Sequence, residues 1–409
     1  MHSDSLFHID LAAIARNAGI FARLVGPRTV CCGVIKADAY GLGARPVAET
    51  LTRAGLPLVA VFRVEEALDL LTVPLGRPVL ILGAVRSLCP MHPLMPALAA
   101  GSVQLVVHDR GQLAEVAAAA STLSRPIHIH VMVDTGMCRG GCSPHDARAL
   151  VDAARNARGV AIAGIMTHFT SAGIDADATR AEQAIFSDVL SGLGSLPDGC
   201  RVHAAATAAT VRDEVYHHDM VRIGLGWAGC VPGEARLAAD WATRLTPVAR
   251  WTSTLRHVQH LSAGQSVGYG RRWRAARDTR VGIVPVGYAD GIPLSAGCCD
   301  GCGGVKIAVL SPDGRDVAGY ATVIGAVSMD QVAVDLGDVP AAARLESGRG
   351  VEILSATPAG PTSLRGFADA CGISPHQLLA RIGPRVRRVL VNREEVAAQA
   401  EAWQPAAAV

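Results

Sequence analysis

A lysine stands where an apolar stretch of the sequence ends in glycines. In the segment VIKADAYGLG, residues 34–43, Lys36 follows apolar residues and precedes Tyr40, Gly41 and Gly43. Burial at the end of a strand can lower the pKa of an amine, and a neutral amine can form a Schiff base with a carbonyl group. The plainer alternative is a lysine that extends its charged end to solvent at the rim of a sheet.

Other polar residues lie where later apolar runs end. They are His108, Asp134, Arg139, His168, His203, Thr207, Arg222 and Gly224. In a barrel of parallel strands, catalytic groups gather at the C-terminal ends of the strands. One such residue alone is more typical of a helix cap or a satisfied buried polar group, but the whole set indicates a site.

Eight short runs rich in Val and Ile alternate with alanine-rich stretches in the first 230 residues. The predicted strands are 29–35, 57–62, 77–83, 102–109, 127–134, 160–169, 201–206 and 220–226, and the predicted helices include 46–54, 64–71, 110–120, 144–157 and 177–193. This alternation favours a parallel sheet covered on both faces, and eight units fit a closed β/α barrel. An open doubly wound sheet is the alternative, but the GxGxxG turn expected after its first strand is not found there.

The sequence changes character after about residue 240, where segments rich in β-branched residues are bounded by Gly, Pro and Asp. This pattern is typical of antiparallel strands. We therefore predict an α/β fold in which residues 1–235 form a (β/α)8 TIM-like barrel, except that the first strand can join the second domain. Residues 236–409 are predicted to form a mostly β domain, with a helix and a frayed tail over 394–409.

Composition excludes several classes of function. The chain has 409 residues, a formal net charge of +2 and 4% aromatic residues, which argues against nucleic-acid or anionic-membrane partners. No uncharged run reaches the roughly 18 residues of a membrane span, and the N-terminus does not resemble a signal peptide. Eleven scattered cysteines favour a reduced, cytoplasmic protein. The CxxC at 299–302 has no matching second pair, so we expect a loop and no metal.

Ten short motifs occur in order along nearly the whole chain: HIDLAAIARN, VIKADAYGLG, VDTGMCRGG, THF, HAAATAA, MVRIGLG, SVGYG, GYADG, SMDQ and RIGPRV. Taken in this order, they resemble the motifs of the alanine racemase family, pyridoxal-phosphate-dependent enzymes of fold type III. The resemblance implies an isomerase that interconverts L- and D-alanine and supplies D-alanine for peptidoglycan. It also implies pyridoxal 5'-phosphate as cofactor, a small amino-acid substrate, and a cytoplasmic homodimer with shared active sites.

The same resemblance implies two bases. Lys36 matches the lysine that holds the cofactor and acts as one base, and Tyr269 matches the opposite base, which the partner subunit supplies in the family. Racemisation by two bases needs proton acceptors on both faces of the reacting carbon. Arg222 matches the arginine that faces the pyridine nitrogen, and a guanidinium pKa above about 12 leaves that nitrogen largely unprotonated. His203 resembles the histidine that supports this arginine.

Further roles are carried over by matching positions. For the cofactor phosphate, the resemblance implies the Thr207 hydroxyl and the backbone N–H groups of Gly224 and Leu225, with Tyr40 on the other side; this is the usual phosphate location in a barrel. His376 is expected to reach the phosphate or the entrance.

For the substrate, Arg139 matches the arginine that contacts its carboxylate and the cofactor's phenolic oxygen, and the backbone N–H of Met329 contacts the same carboxylate. Asp330 matches the neighbouring acid. His168 matches the histidine that hydrogen-bonds the catalytic tyrosine, and Tyr288 resembles a tyrosine that lines the substrate entrance.

Four departures from the family pattern leave an alternative open. Met132 replaces a lysine that is carbamylated in some members, Ala206 replaces an asparagine, Leu294 replaces an arginine, and His376 replaces a tyrosine. The alternative is a related enzyme that acts on another amino acid, for example by racemising serine or by aldol or one-carbon transfer at Cα in specialised metabolism. A protein that stores the cofactor without turnover is disfavoured, since such proteins resemble only the barrel. The sequence fixes neither the substrate side chain nor the replacement for the carbamate.

Overall fold

The computed structural model describes residues 5–298, 303–340 and 345–396. The CxxC segment at 299–302 and the predicted tail beyond residue 396 lie outside the described residues. Among those that are described, no helix combines the length and the apolar character that a membrane crossing requires.

Two compact units divide the chain. The barrel unit holds Ile14–Trp227, Val231–Trp241 and residues 394–396; the β-rich unit holds residues 5–13, Ala228–Cys230 and Ala242–Arg393. The predicted boundary between residues 235 and 236 stays a prediction.

The chain begins with strand β1 (Leu6–Asp10) and helix α1 (Leu11–Val25). The Asp10 carboxylate accepts a hydrogen bond from the Ala13 backbone N–H at 2.8 Å, which satisfies one of the free donors at the start of α1.

A parallel eight-stranded sheet forms the barrel unit. Its strands are β2 (Val30–Val34), β3 (Leu58–Val61), β4 (Val79–Ile81), β5 (Val103–Val107), β6 (Ile127–Met132), β7 (Val160–Met166), β8 (Arg201–His203) and β9 (Met220–Ile223), in the order β8-β7-β6-β5-β4-β3-β2-β9. Between β8 and β9, the Asp219 N–H donates to the Val202 carbonyl at 3.0 Å and the Arg222 N–H donates to the Ala205 carbonyl at 2.9 Å. The predicted barrel is thereby confirmed.

Helices follow most of these strands and cover the sheet. They are α2 (Lys36–Gly41), α3 (Ala44–Arg53), α4 (Val64–Leu70), α5 (Met95–Ala100), α6 (Arg110–Ala120), α7 (Pro144–Asn156), α8 (Ala176–Gly192), α9 (Thr207–Arg212) and α10 (Ala235–Ala242), with a 3-10 turn at Glu214–Tyr216. The side chains of Asp109, Ser143 and Asp175 cap α6, α7 and α8. Strand β3 is buried along its whole length, as expected for a sheet covered on both faces.

The second unit is mostly antiparallel, as predicted. Its elements are β10 (Ala249–Thr254), β11 (His257–Leu261), β12 (Ser266–Val267), β13 (Trp273–Arg274), β14 (Thr279–Val284), β15 (Lys306–Leu310), β16 (Val317–Ile324), β17 (Val332–Asp335), β18 (Gly350–Leu354), α11 (Leu364–Ala370), α12 (Pro375–Arg381) and β19 (Arg387–Val391), with 3-10 turns at Tyr269–Arg271 and Leu294–Ala296. Nine strands form one sheet in the order β11-β14-β17-β16-β15-β18-β10-β1-β19, and β12 pairs with β13. Strand β1 pairs antiparallel with β10 and parallel with β19.

Candidate active site

Strand β2 ends at Val34, and Lys36 follows after one residue, Ile35. The lysine therefore stands at the C-terminal edge of the barrel sheet. Burial lowers the pKa of its amine below the usual 10.5, and the nearby guanidinium of Arg139 lowers it further. The carboxylate of Glu66 acts in the opposite direction, and Arg222 adds to the lowering. The environment therefore favours a neutral amine, the form that reacts with a carbonyl group.

The short element α2 coils with the left hand. Residues 37–40 all have positive φ values, between 53° and 58°, although none of them is glycine. Such a run is costly for L-residues, so the surroundings must hold it. The Asp38 carboxylate accepts from the Ala44 N–H, and the Glu66 carboxylate accepts from the Ala37 N–H, both at 2.6 Å. These bonds fix the segment that carries Lys36.

Arg222 lies in β9 and is 3% exposed, and the groups that accept from it among the described residues are all neutral. Its Nη2 donates to the carbonyl oxygens of Thr167 and Ala204, both at 2.8 Å, and contacts Nδ1 of His168 at 3.0 Å. Its Nη1 contacts Nδ1 of His203 at 2.9 Å. Burial lowers the pKa of Arg222 to about 10, so the side chain remains a buried cation at neutral pH.

Three neutral histidines lie at or near this arginine: His130 and His203 are buried, and His168 is half-buried. Burial, with Arg222 nearby, lowers the pKa of His168 and of His130 to about 3, and that of His203 well below its usual 6.5. His130 Nδ1 contacts His203 Nε2 at 2.9 Å, yet His130 was not among the predicted site residues. The missed signal is His128 and His130 two residues apart in an apolar strand, a spacing that places both on one face.

The loop after β9 forms a close cradle with Tyr40 and Thr207. The Thr207 hydroxyl accepts hydrogen bonds from the N–H groups of Gly224 at 3.1 Å and Gly226 at 3.3 Å. A Cβ atom on residue 224 would lie 2.4 Å from the Tyr40 hydroxyl, so only glycine allows this approach. The adjacent Leu225 is 1% exposed. Two hydroxyl groups beside a glycine backbone have the chemistry of a phosphate site.

Arg139 lies on the exposed loop that follows β6. The loop is held by Asp134, whose carboxylate accepts from the N–H groups of Gly136 and Cys138, both at 3.0 Å. Met132 ends β6 and is 8% exposed. Its thioether carries no charge and cannot form a carbamate, so this position provides no anion for Arg139.

In the β-rich unit, a cavity of about 590 Å³ is lined by residues from two predicted motifs: Gly268, Tyr269, Ser328, Met329, Asp330 and Gln331. Tyr269 follows a glycine with a φ of 75° and is 75% exposed, and Met329 is 52% exposed. The phenol and the Met329 backbone therefore belong to one surface of this unit.

Arg385 links two acidic residues beside this cavity. Its Nη2 contacts the Asp330 carboxylate at 2.8 Å, and its Nε contacts the buried Asp290 carboxylate at 3.3 Å. The Tyr288 N–H donates to the Ser328 carbonyl at 3.1 Å, which joins the GYADG and SMDQ segments. The sequence did not predict this role for Arg385, since nothing in RIGPRV specifies two distant acids as its partners.

Three further positions singled out in the sequence, Tyr288, Leu294 and His376, also lie in the β-rich unit. Tyr288 is 41% exposed, and Leu294, which begins a 3-10 turn, is 66% exposed. His376 is half-buried near the start of α12.

The barrel, its lysine at the end of β2 and the attached β-rich unit are the features of a fold-type III enzyme, a class that holds a carbonyl cofactor on such a lysine. The N-terminal domain of alanine racemase matches residues 9–232, and its C-terminal domain matches residues 248–390. The chain belongs to the alanine racemase family.

Relatives align along nearly the whole chain. An alanine racemase from Treponema pallidum subsp. pallidum is 33% identical and covers 94% of this chain and 98% of its own. The solved alanine racemase of Streptomyces coelicolor A3(2) has a TM-score of 0.83 at 30% identity, with 95% and 98% covered. An alanine racemase from Bartonella henselae, solved with covalently bound pyridoxal phosphate, has the same fold with a TM-score of 0.79 at 24% identity, with 95% and 99% covered.

Enzymes of this family depend on pyridoxal 5'-phosphate, and the residues of this chain fit that group. Lys36 has an amine whose pKa is lowered, as a lysine that binds an aldehyde requires. A Cβ atom at residue 224 would clash with the Tyr40 hydroxyl, so glycine lets the hydroxyl groups of Tyr40 and Thr207 lie against the same stretch of backbone. Arg222 is a buried hydrogen-bond donor, the kind of group from which an unprotonated ring nitrogen accepts.

Proposed function

We propose that this protein racemises alanine with pyridoxal phosphate, and that Lys36 and Tyr269 are its two bases. The observation that carries the proposal is the Lys36 amine, whose pKa is lowered at the end of β2 in a chain that matches both domains of the family.

Lys36 has two tasks in this proposal: it holds the cofactor, and it moves a proton on one face of the substrate Cα. When bound, pyridoxal phosphate supplies an electron-withdrawing ring that weakens the Cα–H bond of an attached amino acid. Lys36 takes or returns the Cα proton on its own face, and a second base does so on the opposite face. The overall reaction neither gains nor loses atoms, because one proton leaves Cα and one returns.

Tyr269 is proposed as the opposite base, supplied by a second copy of the chain. Support comes from its 75% exposure beside the cavity with Met329, which leaves the phenol accessible to another subunit. The enzyme would then be a homodimer with shared active sites. We propose that it works in the cytoplasm and supplies D-alanine for peptidoglycan.

The cofactor contacts are proposed from the barrel geometry. Arg222 would donate to the ring nitrogen while His203 and His168 hold its guanidinium, as their contacts of 2.9 and 3.0 Å favour. The phosphate would lie against Tyr40 and Thr207, whose hydroxyl already binds the N–H of Gly224. The N–H of Leu225 would add a donor. His376 is proposed for the phosphate or the entrance.

The substrate carboxylate would be bound by Arg139 and by the backbone N–H of Met329. Arg139 is an exposed cation close enough to Lys36 to lower its pKa. Asp330, paired with Arg385, would keep the Met329 segment in place, and Tyr288 would line the entrance.

The proposal is tested by incubating the purified holoenzyme with a panel of L-amino acids in heavy water. We expect L-alanine to exchange its Cα hydrogen for deuterium and to yield D-alanine. Exchange and inversion of a different amino acid alone would contradict alanine as substrate. A protein that binds the cofactor without any exchange would contradict a racemase.

Tethering of the cofactor is tested by borohydride reduction and peptide mass analysis. The chain contains two lysines, Lys36 and Lys306, so Lys306 is the internal control. We expect the reduced cofactor mass on the Lys36 peptide only. Cofactor mass on the Lys306 peptide would overturn the assignment.

A further inference from the structure

Four side chains on four strands form a continuous hydrogen-bonded chain in the barrel unit. Gln104 Oε1 contacts His130 Nε2 at 2.8 Å, and His130 Nδ1 contacts His203 Nε2 at 2.9 Å. His203 Nδ1 contacts Nη1 of Arg222 at 2.9 Å. The side chains of His130, His203 and Arg222 are at most 3% exposed, so their hydrogen bonds must be satisfied within the protein.

The direction of each bond follows from the arginine. A guanidinium can only donate, so His203 must accept at Nδ1 and carry its proton on Nε2. That N–H donates to Nδ1 of His130, which must therefore carry its own proton on Nε2. Both rings are neutral because burial lowers the pKa of His130 to about 3 and that of His203 well below its usual value. Each ring has a single N–H, and one arrangement satisfies every contact.

The hydrogen-bonded chain ends at Gln104, whose amide oxygen completes this arrangement by accepting from the Nε2–H of His130. If its amide nitrogen faced His130 instead, both histidines would switch tautomer, and an N–H of His203 would point at an N–H of Arg222. Two buried donors in contact repel each other and leave the N–H of His203 without an acceptor, which is costly; Nη1 of Arg222 would keep its other acceptor, the His203 carbonyl at 3.2 Å. Arg222 at one end and the amide oxygen of Gln104 at the other end therefore favour the same tautomers. Without Gln104 the Nε2–H of His130 has no acceptor, so the preference of both histidines for these tautomers becomes smaller.

Water could not replace this amide in fixing the direction. A cavity of about 470 Å³ is lined by Gln104 and His130, together with His128 and Arg201. Water entering from that cavity could accept from His130 or donate to it, because water does both. An acceptor held in place on strand β5 removes this ambiguity.

We propose that Gln104 is a positioning residue for the cofactor: through His130 and His203 it reinforces the hydrogen-bonding direction that Arg222 requires, and so helps to hold Arg222. Gln104 itself contacts neither cofactor nor substrate in this scheme. The consequence for the cofactor rests on the proposed function, in which Arg222 donates to the ring nitrogen. The tautomers of His130 and His203 are a property of the protein itself, and they can be measured whether or not alanine is the substrate.

The test compares Gln104→Met, which has similar volume and no acceptor, with Gln104→Glu, which retains one. Long-range ¹H–¹⁵N spectra of the holoenzyme with ¹⁵N-labelled histidine report each ring's tautomer. The internal control is His217, whose Nε2 is 2.8 Å from the Thr210 carbonyl and which is not part of the hydrogen-bonded chain from Gln104 to Arg222. We expect Nε2–H tautomers at His130 and His203 in the parent and in Gln104→Glu. In Gln104→Met we expect Nδ1–H forms of both rings to be populated, with His217 unchanged.

Cofactor affinity gives a second readout. Removal of the acceptor is expected to weaken pyridoxal phosphate binding by about tenfold, and Gln104→Glu is expected to bind more tightly than Gln104→Met. An Nδ1–H tautomer of His203 in the parent would overturn the proposal, as would unchanged tautomers in Gln104→Met. If the tautomers shift as expected but no amino acid is racemised, the positioning role stands and the proposed function fails.

Discussion

At the residue scale, burial and the surrounding charges determine the pKa of the Lys36 amine. Burial and the guanidinium of Arg139 lower the pKa of its amine, Glu66 raises it, and Arg222 lowers it. The lowering effects outweigh the single carboxylate, so a larger fraction of the amine is neutral at a given pH than for a lysine in water.

The rate at which the apoprotein captures the cofactor is therefore expected to rise with pH at a lower midpoint than for an ordinary lysine. The capture rate is proportional to the fraction of Lys36 amines that are neutral, and this fraction rises as the pH passes the pKa of Lys36. The midpoint of the capture rate should therefore lie below pH 10.5. Arg139→Gln removes a lowering charge and should move the midpoint upward. Stopped-flow absorbance of the bound cofactor against pH measures both.

The control for this measurement is Arg148→Gln, a change at an exposed arginine of α7 that pairs with Asp152 at 3.8 Å. Its midpoint should equal that of the parent. A midpoint at or above 10.5 in the parent, or a downward shift in Arg139→Gln, would contradict the account of the amine.

The left-handed turn after β2 shows how an element can depend on one distant side chain. Glu66, near the start of α4, accepts from three backbone N–H groups: Ala37 at 2.6 Å, Phe62 at 2.8 Å and Arg63 at 2.9 Å. One carboxylate thus joins the start of the strained turn to the loop between β3 and α4. Charge-assisted bonds of this kind are stronger than neutral ones.

Replacing Glu66 is expected to destabilise the fold. Glu66→Ala leaves three N–H groups without their acceptor and should lower the free energy of unfolding by about 2 kcal/mol. The matched control is Glu65→Ala, at the adjacent exposed glutamate, with an expected change within about 0.5 kcal/mol. Urea unfolding followed by circular dichroism measures both, and equal losses in the two variants would refute the role.

At the scale of the whole molecule, the proposed bases lie in different units. Lys36 belongs to the barrel unit, whereas Tyr269 and Met329 belong to the β-rich unit. A site completed by a second copy of the chain would make activity a property of the pair.

Mixed dimers test this sharing. Lys36→Ala and Tyr269→Phe should each be inactive alone. After joint unfolding and refolding in equal amounts, half of the dimers should be mixed, and each mixed dimer should contain one intact site. We expect about a quarter of the parental activity in a chiral alanine assay, by random pairing of equal subunits. No recovery in mixtures that contain mixed dimers, as mass spectrometry would show, would mean that each site uses residues of one chain.

The sequence by itself determined the order of the elements and the two units' fold classes. Strand β3 was predicted at 57–62 and observed at Leu58–Val61, because a continuous apolar run has one favourable place, inside a covered parallel sheet. The motif residues were also readable, since Lys36, Arg222 and Gly224 stand at strand ends or loops with distinctive neighbours.

Only the tertiary structure decided which distant groups meet. The hydrogen bonds that run from Gln104 through two histidines to Arg222 join residues far apart in sequence. No local spacing links a glutamine in β5 to an arginine in β9. The left-handed turn at 37–40 has no signature either, because its residues prefer negative φ. They adopt the turn where Glu66 binds the N–H of Ala37 and the side chain of Asp38 binds the N–H of Ala44. Local preferences act over a few residues, whereas these features depend on strands packed side by side.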